Sequence, residues 1–368
     1  PEELIDIGSV GEITSIDPHY HNLTPNFAVA QQIFDGLFGT DSQARVIPGL
    51  AESWRLVSND TWELKLRRGV KFHDGSAFTA ADVAFSIARA GNVANSPSSY
   101  GIYTRAITKV EIVDDTTVRL STNGPYPLLP VDLGQVVILS KAAAGAAATE
   151  DFNAGRAAVG TGPFRFIRYL PGDRIELERN DAYFGDKPAW AKVSYRIIVN
   201  DPARTAALQA GDVEFIDQVP TTDIERLRRD QRLALSEIVG LRIIYLAMDR
   251  MRSDAGTPFV TDAHGAVIKP NPLNDLRVRR ALSMAMNRDG IVRQVMEGAA
   301  IPSGQFLPPG AYSHVPDLPP PAFNPDAAKK LLADAGFPNG FTLTIHGPND
   351  RYINDARIIQ AIGQMWSR

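Results

Sequence analysis

His73 and Asp74 are adjacent, and an imidazole beside a carboxylate is the pairing from which acid/base dyads and metal sites are built. The same two residues run into Gly75, and Asp-Gly after an alternating stretch is turn chemistry, the glycine supplying a positive φ. The turn is the reading the local pattern favours. Histidines stand at 19, 21, 73, 264, 314 and 346; only His19 and His21 are close, and no cysteine or HExxH spacing accompanies them. No metal site is therefore assigned. Gly160-Thr161-Gly162 suggests a phosphate loop, but it lacks the GxxxxGK[ST] spacing and precedes a strand rather than a helix. It reads as a tight turn, with Thr161 as a ligand contact. Ser140 has no GxSxG elbow around it, and the absence of cysteine removes a thiol nucleophile and any disulfide framework. No catalytic residue and no cofactor are assigned, so binding without turnover is the expected activity class.

Two loops have the chemistry of ligand contacts. Asp17-Pro18-His19-Tyr20-His21-Asn22 follows the first strand, and open α/β sheets bind ligands beyond the carboxyl ends of strands. Tyr20, His21 and Asn22 offer donors, acceptors and ring faces there; the alternative is a surface loop tied by an Asp-Pro turn. Arg351 and Tyr352 follow the strand expected at 341–345 and precede a helix. A guanidinium there can grip a carboxylate through two parallel hydrogen bonds. The alternative is a surface arginine paired with Asp350 or Asp355, worth about 0–1 kcal/mol.

The elements that position these residues interleave. A strand is expected at 4–8 and an amphipathic helix at 26–38. Hairpins are expected at 54–57/61–67, 109–113/117–121 and 164–169/174–178, turned at Ser58-Asn59-Asp60, Asp114-Asp115 and Pro171-Gly172-Asp173. Helices are expected at 79–90, capped by Thr79, and from Asp201-Pro202 to Gly211. A strand at 213–216 follows. Further on come a strand at 243–248, helices at 275–287 and 289–297, a helix from Asn324-Pro325 to Gly336, a strand at 341–345 and a helix at 352–366. This predicts an α/β chain with mostly parallel sheets and an antiparallel insertion at roughly 45–170. A Pro-, Gly- and Asp-rich texture near 245–275 divides the 368 residues into two lobes. The formal net charge of -4, with acids and bases mixed, excludes a nucleic-acid landing strip, and no apolar stretch is long enough to span a bilayer.

Several segments together resemble the family 5 extracellular solute-binding proteins of ABC importers. Leu50-Ala51-Glu52-Ser53-Trp54, Trp62 to Leu66, Arg68 to Gly75 and Phe78 to Ser86 carry the signature region. Val159 to Phe164 and Leu177 to Phe184 are similar to the next landmarks. Asp275 to Leu282, Asn287-Arg288, Leu307 to Gly310 and Ala328 to Phe337 continue them in order. Leu241 to Asp249 resembles the strand that crosses between lobes, with Asp249 where many relatives carry Asn. In that strand Tyr245 and Met248 can touch ligand or pack the hinge, and packing is favoured for Met248.

The resemblance implies a two-lobed α/β fold, a type II periplasmic binding protein with an extra antiparallel subdomain in the first lobe. Lobe I would take residues 1–240, a hinge 241–250 and lobe II 251–368. It implies a periplasmic receptor that closes on a small peptide or peptide-like solute and delivers it to a membrane permease; a monomer is expected. Other solute classes (sugar, opine, haem or metal chelate) and a sensory or chaperone-like module share the fold. Arg351 resembles the arginine that dipeptide-binding relatives place on the peptide's carboxylate. The chain begins at Pro1, for which a removed export signal is the expectation. Its last helix, ending at Arg368, matches a point before the family's C-terminus, so the segment bearing the relatives' amino-group acid is expected to be missing.

Overall fold

The structure, a computed structural model, describes residues 4–309, 311, 313–349 and 351–368. The chain parts into two compact units between Val219 and Pro220, upstream of the boundary expected at 240. Gly310 and Asp350 lie outside the described residues.

The first unit holds two main sheets. One has the order Phe215–Ile216, Leu4–Ser9, Lys192–Ile197, Arg174–Arg179, Phe164–Leu170. Leu4–Ser9 runs parallel to both neighbours, while the other two pairings are antiparallel. The expectation of mostly parallel sheets is therefore corrected. The cause is local: a three-residue turn at Pro171-Gly172-Asp173, with Gly172 at φ 75°, can join only antiparallel strands. The second sheet is the expected antiparallel subdomain, ordered Ala51–Ser58, Thr61–Leu66, Thr117–Thr122, Ile107–Asp114.

Helix Ala80–Ala90 covers this subdomain sheet, packing Val83, Ile87 and Ala90 with Leu64, Leu66, Val118 and Leu120. Asp82 fixes its start, accepting from the Thr79 backbone N–H at 2.9 Å and from the Lys141 N–H at 2.8 Å. The helix expected at 26–38 instead spans Thr24–Ile33. The carbonyls beyond it serve other partners: Ile33 accepts from Gly162 N–H, Asp35 from Ile138, Gly36 from Leu50 and Leu37 from Ala51. Ile33 and Phe34 join the core beneath the mixed sheet, while Leu37 and Phe38 join the core beneath the antiparallel one. A continued helix could not serve both.

The regular elements of the second unit are mainly helices, Ile224–Arg228, Leu276–Met284, Arg288–Gln294, Pro325–Asp334 and Asp355–Trp366, and among the described residues it has one short antiparallel pair, Val260–Thr261 with Thr342–Leu343. The strand expected at 243–248 is absent: the run has no regular structure and pairs with no strand. Its apolar pattern is right for a strand, but a strand exists only through its ladder, and no neighbour among the described residues supplies one. Met248 packs onto Val260, Leu273, Val278 and Leu282 as expected.

Candidate functional site

In the first unit, the loop after the Leu4–Ser9 strand is anchored from below. Asp17 is buried and takes two hydrogen bonds from Arg89, at 2.8 and 2.7 Å, and one from the Thr149 hydroxyl at 2.9 Å. Burial opposes its charge, but Arg89, the His19 N–H and Thr149 outweigh that and hold its carboxyl below the usual range. Arg89 also lies over the Phe152 ring at 4.8 Å. His19 is fully buried, its Nε2 on the Val137 carbonyl at 2.9 Å; burial and then Arg89 push its pKa down to about 4.

On this anchor Tyr20, His21 and Asn22 are half-exposed and side by side. Thr14 Oγ1 lies 3.0 Å from His21 Nδ1, and Asn22 Nδ2 donates to the Tyr103 hydroxyl at 3.3 Å. The Tyr20 and His21 rings meet edge to face with centroids 6.5 Å apart. These contacts tie His21, Asn22 and the Tyr20 ring to their neighbours, and all three residues remain half-exposed. Thr14 and Tyr103 also contact the set and were missed by sequence reasoning; Tyr103 lies 81 residues from Asn22, beyond the reach of any local signal.

Thr161 is placed differently from expectation. It is 1% exposed, and its hydroxyl donates to Asp35 at 2.8 Å, beside Tyr183, which donates to the same carboxylate at 3.1 Å. Burial pushes the Asp35 carboxyl up. Thr161 holds the end of the Thr24–Ile33 helix rather than facing solute. The flanking glycines explain the motif: a Cβ on Gly160 would meet the Ile33 carbonyl oxygen at 1.9 Å, and one on Gly162 would meet Ile33 backbone at 2.5 Å. His73 belongs to the same turn. Its Nε2 donates to the Gly162 carbonyl at 3.0 Å, and its Nδ1 accepts from Gly160 N–H at 3.3 Å. Asp74 accepts from Ser76 N–H and Oγ, and Gly75 has φ 88°. The pair is a turn, as its Asp-Gly sequence indicated.

The second unit contains a groove of about 470 Å³, lined by Ile243 to Asp249, Phe259, Leu343 to His346, Tyr352 and Trp366. That volume suits a small solute. Tyr245 is 63% exposed and meets Phe306 edge to face at 5.0 Å. His346 meets the Phe259 ring edge to face, with centroids 4.8 Å apart. Asp249 is occupied locally, accepting from Thr257 Oγ1 at 2.9 Å and Arg252 at 3.1 Å.

Arg351 and Tyr352 sit just before helix Asp355–Trp366. Asp355 accepts from the backbone N–H of both residues, at 3.0 and 2.9 Å, and from that of Ala356 at 2.7 Å. Burial opposes the charge on Asp355, but these N–H groups hold its pKa below the usual range. The carboxylate thus braces the backbone rather than the Arg351 guanidinium, which lies over the Tyr352 ring at 5.4 Å. Arg242 lies over the same ring at 5.2 Å and was not foreseen. Phe306 reaches the site only through tertiary packing, whereas Arg242 directly precedes the groove-lining run at Ile243.

The family model described as bacterial extracellular solute-binding proteins, family 5 middle, matches residues 45–368. The glutathione-binding protein GsiB of Pectobacterium atrosepticum is 32% identical over 348 residues, 94% of this chain and 63% of the relative. The chain thus spans less than two thirds of that relative's length. The periplasmic binding protein DppA of Helicobacter pylori, solved with the peptide STSA, matches with a TM-score of 0.71 and 25% identity, over 92% of this chain and 67% of that one. The oligopeptide-binding protein AppA of Bacillus subtilis, solved with a nonapeptide, matches with a TM-score of 0.74 and 25% identity, over 100% of this chain and 73% of that one. The expected α/β periplasmic-binding-protein class is the class of these neighbours. The sequence motifs, the antiparallel subdomain and the in-order match across nearly the whole length agree, and the chain belongs to the family 5 bacterial extracellular solute-binding proteins.

Proposed function

We propose that this protein is a periplasmic receptor that binds a small peptide or peptide-like solute without turnover and delivers it, as a monomer, to the permease of an ABC importer. The observation that carries this reading is the construction of the second unit's groove. Apolar walls of Ile243, Leu246 and Phe259 are rimmed by Tyr245 and Tyr352, whose ring holds the Arg351 guanidinium. Apolar walls with a few placed polar groups are how small-molecule sites are made. The Ile243–Met248 run pairs with no strand, so its backbone is available to an extended solute. Tyr20, His21 and Asn22 are the first unit's contact set. The related GsiB is named for glutathione, and DppA and AppA were solved with peptides.

Native mass spectrometry of the full-length protein as purified, followed by calorimetry with di- and tripeptides, tests the reading. A retained peptide-like mass, or one-to-one binding with the peptide recovered intact, is expected. Continuing loss of peptide beyond one equivalent overturns the non-enzymatic part. Arg351→Ala is expected to weaken binding by about tenfold or more while leaving the melting temperature of the empty protein nearly unchanged. Wild-type affinity in that variant returns Arg351 to the surface.

A further inference from the structure

We propose that Asn354 is a positioning residue that couples occupation of the groove to the chain segment leaving the first unit. The inference rests on the receptor reading above and adds how solute binding in the second unit is passed on. Asn354 stands two residues after the groove-lining Tyr352 and immediately before helix Asp355–Trp366. Its backbone is left-handed, at φ 56° and ψ 24°, a conformation asparagine tolerates better than most residues with a side chain. Its side chain is fully engaged. Nδ2 donates to Thr221 Oγ1 at 2.8 Å and to the Val295 carbonyl at 2.9 Å, with Met296 Sδ 3.8 Å away. Thr221 and Met296 are both buried, so water does not compete freely for these bonds.

One amide thus joins three segments that are distant along the chain. Val295 directly follows helix Arg288–Gln294. Thr221 is the second residue of its unit and opens the short turn Thr221–Asp223. Just upstream, Arg204 donates to the Asp217 and Gln218 carbonyls at 3.3 and 2.9 Å, and Gln218 is itself left-handed at φ 46°. The link Val219-Pro220 is therefore held at one end by the Arg204 guanidinium and at the other by the Asn354 amide. Pro220 further fixes its own φ, at -57°. Few soft torsions remain between the two holds. A solute that orders the Tyr352 loop acts on Asn354, and Asn354 passes the restraint to Thr221. Coupling of this kind is reciprocal: loosening Thr221 must weaken solute binding by the same factor.

Hydrogen–deuterium exchange of the full-length protein tests this, empty and with glutathione or the tetrapeptide Ser-Thr-Ser-Ala, alongside calorimetry with the same probes. In wild type, a bound probe is expected to slow exchange both at 351–355 and at 218–224, by about fivefold or more at the second segment. Two variants cut the link in different ways. Thr221→Val keeps bulk and removes the acceptor; Asn354→Gly keeps the left-handed backbone and removes the amide. In each, the probe is expected still to slow exchange at 351–355, while its effect at 218–224 falls to about twofold or less and affinity falls about fivefold. The double variant is expected to lose little more than either single one, because both remove the same bond. The melting temperature of the empty variants reports folding. Variants that melt earlier but keep wild-type affinity and wild-type protection at 218–224 make the contact merely structural and overturn the inference. Protection confined to 351–355 in wild type overturns it too and leaves the receptor standing. Binding of neither probe overturns the coupling together with the peptide part of the receptor reading.

Discussion

His73 is surrounded by backbone from one glycine-rich turn, and its protonation state follows from that geometry. Gly160 donates to Nδ1 while Nε2 donates to Gly162, so only the neutral ring satisfies both partners. Burial first, with Arg165 nearby adding to it, brings its pKa down to about 4. The folded value lies below the unfolded one, so the unfolded chain takes up the proton first as pH falls. The stabilisation is complete above the unfolded value of about 6.5 and is lost as pH falls towards about 4. Buried His19 behaves the same way. Between pH 7 and 5 each histidine is expected to remove about 2 kcal/mol of stability. Urea titrations at the two pH values measure this, and His73→Gln is expected to flatten the dependence. An unchanged slope in that variant places the acid sensitivity elsewhere. At this scale local chemistry was legible in sequence where it is local in space: Asp74-Gly75 is a turn in both. Thr161 was misjudged because its partner, Asp35, is remote along the chain, and Arg242 was missed because its partner is Tyr352.

Helix Asp201–Ala210 shows how much an element's side chains can do for the chain around it. Asn200 caps it through the Ala203 N–H at 2.9 Å, Pro202 lies in the first turn, and Gly211 ends it at φ 79°. These signals were readable in the sequence, although the cap falls on Asn200 rather than Asp201. The role of Arg204 was not readable, because its partners are carbonyls. It is 0% exposed and donates to the carbonyls of Ile198, Val199, Asp217 and Gln218, and to Asp201. The side chain thereby ties the strand entering the helix to the exit of the first unit at Val219. Arg204→Met retains bulk but strands four acceptors, and a loss of roughly 3–5 kcal/mol is expected. Limited proteolysis should then cut near 217–220, where wild type resists. A variant with wild-type melting and no new cleavage would show that water replaces the guanidinium. The hairpins were legible for the same reason as the caps: turn residues and alternation act within a few positions. The end of the Thr24–Ile33 helix was not, because its stop is set by hydrogen bonds from Leu50, Ile138 and Gly162.

The two units differ most in how completely each encloses its own core. Among the described residues the first has clusters of 21 and 16 buried apolar residues, each drawn from within residues 1–219. The second has clusters of four and three. It also leaves Ile244 and Tyr245, which line its groove, and Phe306, which touches Tyr245, at least 46% exposed. The sequence reading expected the boundary at 240–250, from the composition break and the run at 241–249, whereas the compact units part at Val219. Composition could not register that residues 220–240 pack with the second unit. Stability of a small domain scales with the apolar surface it can withdraw from water, at roughly 25 cal/mol per Å². Residues 1–219 expressed alone are therefore expected to melt cooperatively. Residues 220–368 alone are expected to keep helical far-ultraviolet dichroism, bind a hydrophobic dye and show no sharp calorimetric transition. A peptide filling the groove should shift that behaviour, because a ligand that binds only the ordered state stabilises it by mass action, about 2.7 kcal/mol at a hundredfold excess over Kd. Calorimetric scans of the two fragments, with and without the tightest peptide found for the full-length protein, measure both effects. A sharp, ligand-independent transition in 220–368 would mean that its few buried side chains suffice, and that the groove is a finished surface rather than a core left open to its solute.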